Sequence, residues 1–221
     1  MKKLVDIQKA RIAFVLSISM AAASIPYLRF YLQPAMAQVL TLTLLVLGFP
    51  MWQIVLAWTP EQFPFATKHD PPEQQTAVAL KWWLLLGVMV LGGNVIGIFW
   101  LDGFFANRIA HYKPESWHEW WVTLPWILLF TPLFVIALPY AFGKRLLRRD
   151  SLTITVVIVW DLIAIWFQLQ QADLVNGIVM GIGLIAGGLH ASFFAFCYLK
   201  LGFHGLMLMQ LISYSRFIWY L

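Results

Sequence analysis

The feature that most constrains this chain is a succession of long apolar stretches. Each is about twenty residues long, the length that an α-helix needs to cross the hydrocarbon core of a bilayer. Of all residues 61% are hydrophobic and 11% are charged, whereas a soluble domain carries about 25% charged residues. We therefore predict an all-α, polytopic transmembrane helical bundle that forms a single integral membrane domain, 1–221. Seven spans are predicted, at 12–28, 35–58, 78–101, 121–142, two within 151–205, and 203–221.

The basic residues predict the orientation of this bundle. With seven spans and a cytoplasmic N-terminus, eleven of the fifteen Lys and Arg residues fall in cytoplasmic segments and four in external segments. Basic residues are enriched in cytoplasmic loops, so this orientation is favoured over the reverse. The N-terminus also looks like a signal peptide, because Ala21–Ala23 could mimic a cleavage site. An uncleaved first span, kinked or ended by Pro26, gives the better balance of charges.

Two ionisable residues lie inside predicted spans, where a charge costs at least ~2.5 kcal/mol. Asp161 is near the middle of the fifth span, and His190 is slightly beyond the middle of the sixth. Short connections favour adjacent helices, so we expect the two side chains within direct or one-water hydrogen-bonding reach. One interpretation is a catalytic pair that activates water, relays a proton or binds a metal. The other is a buried polar pair that fixes how the two helices pack.

Small and polar residues recur along the sixth span. Gly183 and Gly187 form a small-xxx-small pair, which predicts close approach of a neighbouring helix. Four residues recur at intervals of seven and should share one face of the helix: Asn176, Gly183, His190 and Cys197. The sixth span is therefore expected to be central in the bundle.

A second group of titratable residues precedes the fourth span. Glu115, His118 and Glu119 would share one helical face, and a Glu-x-x-His pair can ligate metal in carboxylate di-metal bundles. The surrounding tryptophans favour an interfacial helix instead. No cofactor is assigned from the sequence, and a divalent metal such as zinc is expected only if the protein is catalytic. The remaining titratable residues of the connections are expected in solvent or at the headgroups: His69, Asp102, His111 and His204.

The second half of the chain has a distinctive order of segments. Thr131-Pro132 opens a span that ends in a basic turn, a further apolar span follows, and Tyr198-Leu-Lys-Leu-Gly202 precedes the last helix. Over about 131–215 this layout resembles the CPBP superfamily, the group of CAAX prenyl proteases and bacteriocin-processing or immunity proteins. The resemblance implies a CPBP-like helical part at 121–221, preceded by spans 1–3 and their loops at 1–120.

The resemblance also implies catalytic motifs, and the chain departs from them. No acid occurs near 134–136, and Gln210 and Tyr214 stand where the last helix of the family has His and Asn. A second register places Asp161 at the acidic motif and His190 at the histidine motif. We therefore expect a CPBP-like integral membrane protein without standard protease activity. If it is catalytic, it would be a divergent intramembrane hydrolase that uses Asp161 and His190.

A non-enzymatic role is the alternative. Small-xxx-small faces and twelve tryptophans would suit a subunit or assembly factor that packs against partner helices or binds a lipid, quinone or pigment. A transporter using Asp161 is disfavoured, because the sequence has no recognisable inverted halves. The expected partners are the lipid bilayer and membrane helices, with no nucleic acid. The expected location is the bacterial inner membrane or an equivalent energy-transducing membrane.

Overall fold

The computed structural model describes residues 7–63, 73–106, 113–171 and 177–221, and these are almost entirely helical. Six helical stretches are long and apolar enough to cross a membrane, which confirms a polytopic helical membrane protein. In the apolar 18-residue window of each stretch, only 17% to 33% of the residues are buried within the protein, so most of this apolar surface needs lipid or another protein around it. The α-helices are α1 (Ile7–Tyr31), α2 (Pro34–Trp58), α3 (Glu73–Ile96), α4 (Asp102–Ala106), α5 (Trp117–Thr131), α6 (Leu138–Leu147), α7 (Asp150–Gln171) and α8 (Gly177–Ser215).

The first two helices form a tightly packed pair. Pro26 lies inside α1, which continues to Tyr31, so Pro26 does not end the helix, and the alternative that it kinks the helix stays a prediction. Pro34 begins α2, where its missing N–H would have no helical partner anyway. The Ser17 hydroxyl donates to the Leu45 carbonyl oxygen at 2.8 Å. This side-chain bond fixes the register of α1 against α2.

The third and fourth predicted spans both contain wide helical turns. Gly97–Leu101 is π-helical and joins α3 to α4. A second π-helical segment, Pro132–Ala137, joins α5 to α6. A proline ring clashes with the carbonyl group one turn earlier, and a wider turn relieves that clash. The proline-rich span therefore continues without a loop to Leu147.

The sixth and seventh predicted spans form one element that is broken at Gly202. This residue has φ 71° and ψ −168°, far from helical values. His190 and Arg216 line the same cavity, although a continuous helix would separate them by ~39 Å. The part of α8 after Gly202 therefore folds back along the part before it. We call these parts α8a (177–201) and α8b (203–215).

The contacts define two ends of the bundle. At the Gly202 end, the Thr59 and Tyr198 hydroxyls are 3.2 Å apart, and the Phe63 ring stacks on the Phe203 ring at 5.2 Å. At the Tyr31 end, Tyr31 donates a hydrogen bond to the Glu119 carboxylate. The largest fully buried side chains lie towards the Gly202 end, among them Trp52, Phe63, Tyr140 and Tyr198. Packing is therefore densest there, and the site described next lies towards the other end.

Candidate intramembrane cavity

A cavity of about 410 Å³ lies between α1, α5, α8a and α8b, towards the Tyr31 end. Ligand pockets have volumes of about 300–1,000 Å³, so the cavity has room for a small molecule or the head of a larger one. The residues that line it are Tyr31, Pro114, Thr123, Ile127, Thr131, His190, Phe194, Gln210, Ser213, Tyr214, Arg216 and Phe217. The cavity reaches from Tyr31 and Arg216 at the helix ends to Thr131 and His190 within apolar helices, so some of its polar groups lie at membrane depth.

Three buried polar atoms of the lining have no hydrogen-bond partner among the described residues. They are Thr123 Oγ1, Gln210 Oε1 and Tyr214 Oη. Gln210 is 4% exposed and Tyr214 is 7% exposed. The Thr123 hydroxyl lies near the hydroxyls of Tyr31 and Tyr214, but it does not meet the distance and angle of a hydrogen bond with either. An unsatisfied buried polar group costs about 1–3 kcal/mol, so these three atoms leave the cavity with hydrogen bonds for water or a bound molecule to supply.

The aromatic side chains around Tyr214 hold its ring in place. The Trp120 ring stacks on the Tyr214 ring at a centroid distance of 5.6 Å. The Phe217 ring meets the Tyr214 ring edge-on at 5.4 Å. Because the ring is held on two sides, the direction of its hydroxyl is fixed by packing rather than by a hydrogen bond.

His190 contributes to the lining of the cavity from α8a. Its ring is 4.5 Å from the Phe194 ring. It lies on the same side of α8a as the buried residues Gly187 and Phe194, because residues three and four positions apart share a helical face. Gly183 and Cys197, one heptad away on either side, are also buried. The described members of the predicted stripe therefore share the inward face of α8a, and Asn176 lies outside the described residues.

Asp161 and His190 are not joined by a hydrogen bond or an ion pair in the described structure, so the direct form of the expected contact is wrong, and the form bridged by one water stays a prediction. Asp161 is 8% exposed and shares a buried stripe of α7 with Thr153 and Val157. A Cβ on Gly143 of α6 would lie 3.1 Å from Thr153 Cγ2, so this stripe is turned towards α6. Asp161 does not line the cavity, and the catalytic role of both residues stays a prediction.

A different face of α7 packs against α8a. A Cβ on Gly187 would collide with the Ile165 side chain, and one on Gly188 would lie 3.6 Å from Leu162 Cδ2. The expected close approach at Gly187 is thus present. Both residues of α7 that contact the glycines are apolar, which explains why the interface needs no polar pair.

A buried ion pair lies beside the cavity at the Tyr31 end. Arg216 Nε is 3.2 Å from Asp102 Oδ2, and the Asp102 side chain is fully buried. A Cβ on Gly97 would lie 3.2 Å from Arg216 Nε, so the glycine leaves room for the guanidinium. The expectation that Asp102 lies in a solvated connection is wrong, because helix α4 continues the third span and carries it into the bundle.

The acidic residues before the fourth span have structural roles at the start of α5. Glu119 is 4% exposed and accepts hydrogen bonds from the Tyr31 hydroxyl and the Glu115 backbone N–H, the latter at 2.6 Å. The Ser116 hydroxyl accepts from the Glu119 backbone N–H at 3.2 Å, as in a capping box. Glu115 and His118 are exposed. Within the described ranges no group of three or more His, Cys, Asp or Glu residues is placed to hold a metal ion.

Several further polar residues lie apart from the cavity. The Asn94 side-chain N–H donates to the Ile212 carbonyl oxygen at 2.8 Å and so ties α3 to α8b. His204 is exposed, as expected, whereas His69 and His111 lie outside the described residues. Sequence reasoning reached Gln210 and Tyr214 only through the resemblance to the CPBP superfamily, as the residues that stand where the last helix of the family has His and Asn. It missed Thr123, because a threonine in an apolar span ordinarily bonds to its own helix.

The chain matches no protein family, no curated protein and no solved structure in comparisons of its sequence and its fold. Its function is therefore inferred from the cavity and the topology.

Proposed function

We propose that this chain is a non-enzymatic, seven-crossing integral membrane protein that binds a small amphipathic molecule in the cavity at the Tyr31 end. The observation that carries this proposal is the set of unpartnered polar atoms at Thr123, Gln210 and Tyr214. A ligand with hydrogen-bonding groups at its head satisfies them, and its apolar part remains among apolar side chains. Binding in this way needs no catalytic group.

The seven crossings follow if α8a and α8b are counted separately. Consecutive crossings then alternate in direction. The basic residues gather at the Gly202 end, where Lys144 pairs with Asp150 and Lys200 packs over the Trp82 ring. The basic run after Tyr140 lies at that end as well. This clustering favours the Gly202 end as the cytoplasmic one, with the N-terminus on the same side.

A CPBP-like hydrolase is the second candidate, and one observation favours it. Gln210 and Tyr214 of α8b stand where the last helix of the CPBP superfamily has His and Asn. Both line the same cavity as His190 of α8a. A catalytic base is usually oriented by a further hydrogen-bonded group. His190 has no such bond to Asp161, so binding without hydrolysis is the better supported function.

The test of ligand binding compares two glutamines that are equally buried. The protein is purified in mild detergent, and its bound small molecules are measured by native mass spectrometry. We expect a bound molecule in the wild type and at least fivefold less of it in Gln210→Leu. Gln62→Leu is the control, because Gln62 is 5% exposed but lies at the Gly202 end. Equal retention by the wild type and Gln210→Leu, or a cavity that holds water alone, contradicts the proposal.

A further inference from the structure

The electrostatic character of the cavity restricts the kind of head group that it takes. Thr123, Gln210 and Tyr214 are neutral, and each can donate or accept a hydrogen bond. Among the described lining residues the permanent cation is Arg216, and its guanidinium is already paired with the fully buried Asp102. The two charges compensate each other, so the cavity has no excess positive charge for a phosphate or carboxylate. A neutral head with several oxygen atoms fits this set of groups.

The walls of the cavity restrict the shape of the head. Four aromatic rings contribute to the lining: Tyr31, Phe194, Tyr214 and Phe217. Flat side chains pack best against another flat ring, in offset-stacked or edge-to-face arrangements. A neutral planar ring that carries oxygen atoms meets both requirements.

The depth of the cavity restricts the rest of the ligand. His190 lines the cavity from near the middle of the apolar helix α8a, so this part of the cavity lies at a depth occupied by lipid chains. Ile127 and Phe194 provide apolar lining beside it. A long apolar tail attached to the ring packs against these side chains.

We infer that the ligand is a membrane quinone, bound through its ring with its tail among the apolar side chains beside His190. This inference rests on the proposed function and names the ligand of the same cavity. The Tyr214 and Thr123 hydroxyls donate to a quinone carbonyl, and Gln210 Oε1 accepts from a hydroxyl of the reduced ring. The site binds either redox form because each of its neutral groups can reverse the direction of its hydrogen bond.

The test uses a short-chain benzoquinone that carries a photoreactive azide. The full chain in lipid nanodiscs is titrated with this probe, irradiated, and mapped by peptide mass spectrometry. We expect labelling of peptides from α5 and α8, and an apparent Kd that rises about five- to tenfold in Tyr214→Phe and Gln210→Leu, as the loss of one hydrogen bond predicts. Tyr198→Phe and Gln62→Leu are matched controls at the Gly202 end and should bind as the wild type does.

The outcomes separate this inference from the proposed function. Equal labelling in the wild type, Tyr214→Phe and Gln210→Leu contradicts the quinone assignment. Absence of quinone labelling, while another small molecule still co-purifies with the wild type and is lost in Gln210→Leu, overturns the assignment and leaves the proposed function standing. If neither the labelling by the probe nor the retention of any co-purifying molecule depends on Gln210, the quinone assignment and the proposed function are both wrong. Tyr214→Phe removes a single oxygen atom, so size-exclusion chromatography should show it folded.

Discussion

At the scale of single residues, Gly187 sets how closely α7 and α8a approach. A Cβ at this position collides with the Ile165 side chain, whereas a Cβ on Gly181, less than two turns earlier, meets nothing within 4 Å. Overpacking a tight contact costs about 1–3 kcal/mol. We therefore expect Gly187→Leu to lower the thermal unfolding temperature and the folded yield in detergent. Gly181→Leu should change neither, and equal tolerance of the two would mean that this face of α8a meets lipid.

Two ion pairs of the chain differ in burial, and so in what they contribute. Asp102 and Arg216 are 0% and 18% exposed at their side chains, whereas Lys144 and Asp150 are 33% and 48% exposed. Breaking a buried pair costs about 3–5 kcal/mol, but an exposed pair contributes about 0–1 kcal/mol. Thermal unfolding should therefore show a much larger loss of stability for Asp102→Ala than for Asp150→Ala. Similar losses would contradict the placement of Asp102 inside the bundle.

Asp161 and His190 lie on separate packing surfaces, which predicts how their mutations combine. Effects of residues that share no partner usually add within about 0.3–0.5 kcal/mol. The unfolding free energies of Asp161→Ala and His190→Ala should therefore sum to that of the double variant. A coupling above about 1 kcal/mol, measured in a double-mutant cycle, would instead reveal a shared water or a shared ligand.

At the scale of elements, the sequence predicts where helices lie much better than how they are rotated. The bounds of α2 agree with the expected span within one residue, because the length of an apolar stretch can be read directly from the sequence. The rotation of α7 cannot be read in this way. A helix that is apolar all round has no polar face to mark the side that meets lipid. The depth of Asp161 was therefore predictable, whereas its direction towards α6 was not.

The cavity escaped prediction for a related reason. Thr123, His190 and Gln210 belong to three helical segments, and their meeting depends on the reversal at Gly202. The sequence marks that reversal only as a glycine-containing turn. Without homologous sequences or tertiary contacts, nothing in the spacing relates a residue of α5 to one of α8b.

The break in α8 depends on the absence of a side chain at Gly202. Its φ of 71° with ψ of −168° belongs to a region that is essentially restricted to glycine, and a Cβ there would lie 2.7 Å from the Gln62 carbonyl oxygen. We expect Gly202→Ala to reduce folded yield strongly in fluorescence-detected size-exclusion chromatography. Gly92→Ala, where a Cβ meets nothing within 4 Å, is the control. An unchanged yield for Gly202→Ala would show that α8 tolerates a different path.

At the scale of the whole molecule, large apolar side chains cover the outside of the bundle. Trp100 and Trp219 are 79% and 76% exposed and lie towards the Tyr31 end, where tryptophans suit the membrane interface. Further apolar side chains project outward from the middle of the helices, including Leu42, Val46, Leu84, Val88 and Ile185. Lipid or the helices of a larger membrane assembly must cover these faces.

The orientation of the bundle can be tested because the chain contains one cysteine. Cys197 is fully buried, so it should give little background in labelling with a membrane-impermeant maleimide. Arg148 ends α6 at the Gly202 end, and Lys113 packs over the Tyr220 ring at the Tyr31 end. If the basic Gly202 end faces the cytoplasm, Lys113→Cys is labelled on intact cells, and Arg148→Cys is labelled only after the membrane is permeabilised. The reverse labelling pattern would show that the bundle has the opposite orientation in the membrane. One helical stretch, Trp117–Leu147, separates Lys113 from Arg148. Labelling of both positions on intact cells would therefore contradict a single crossing of the membrane between them.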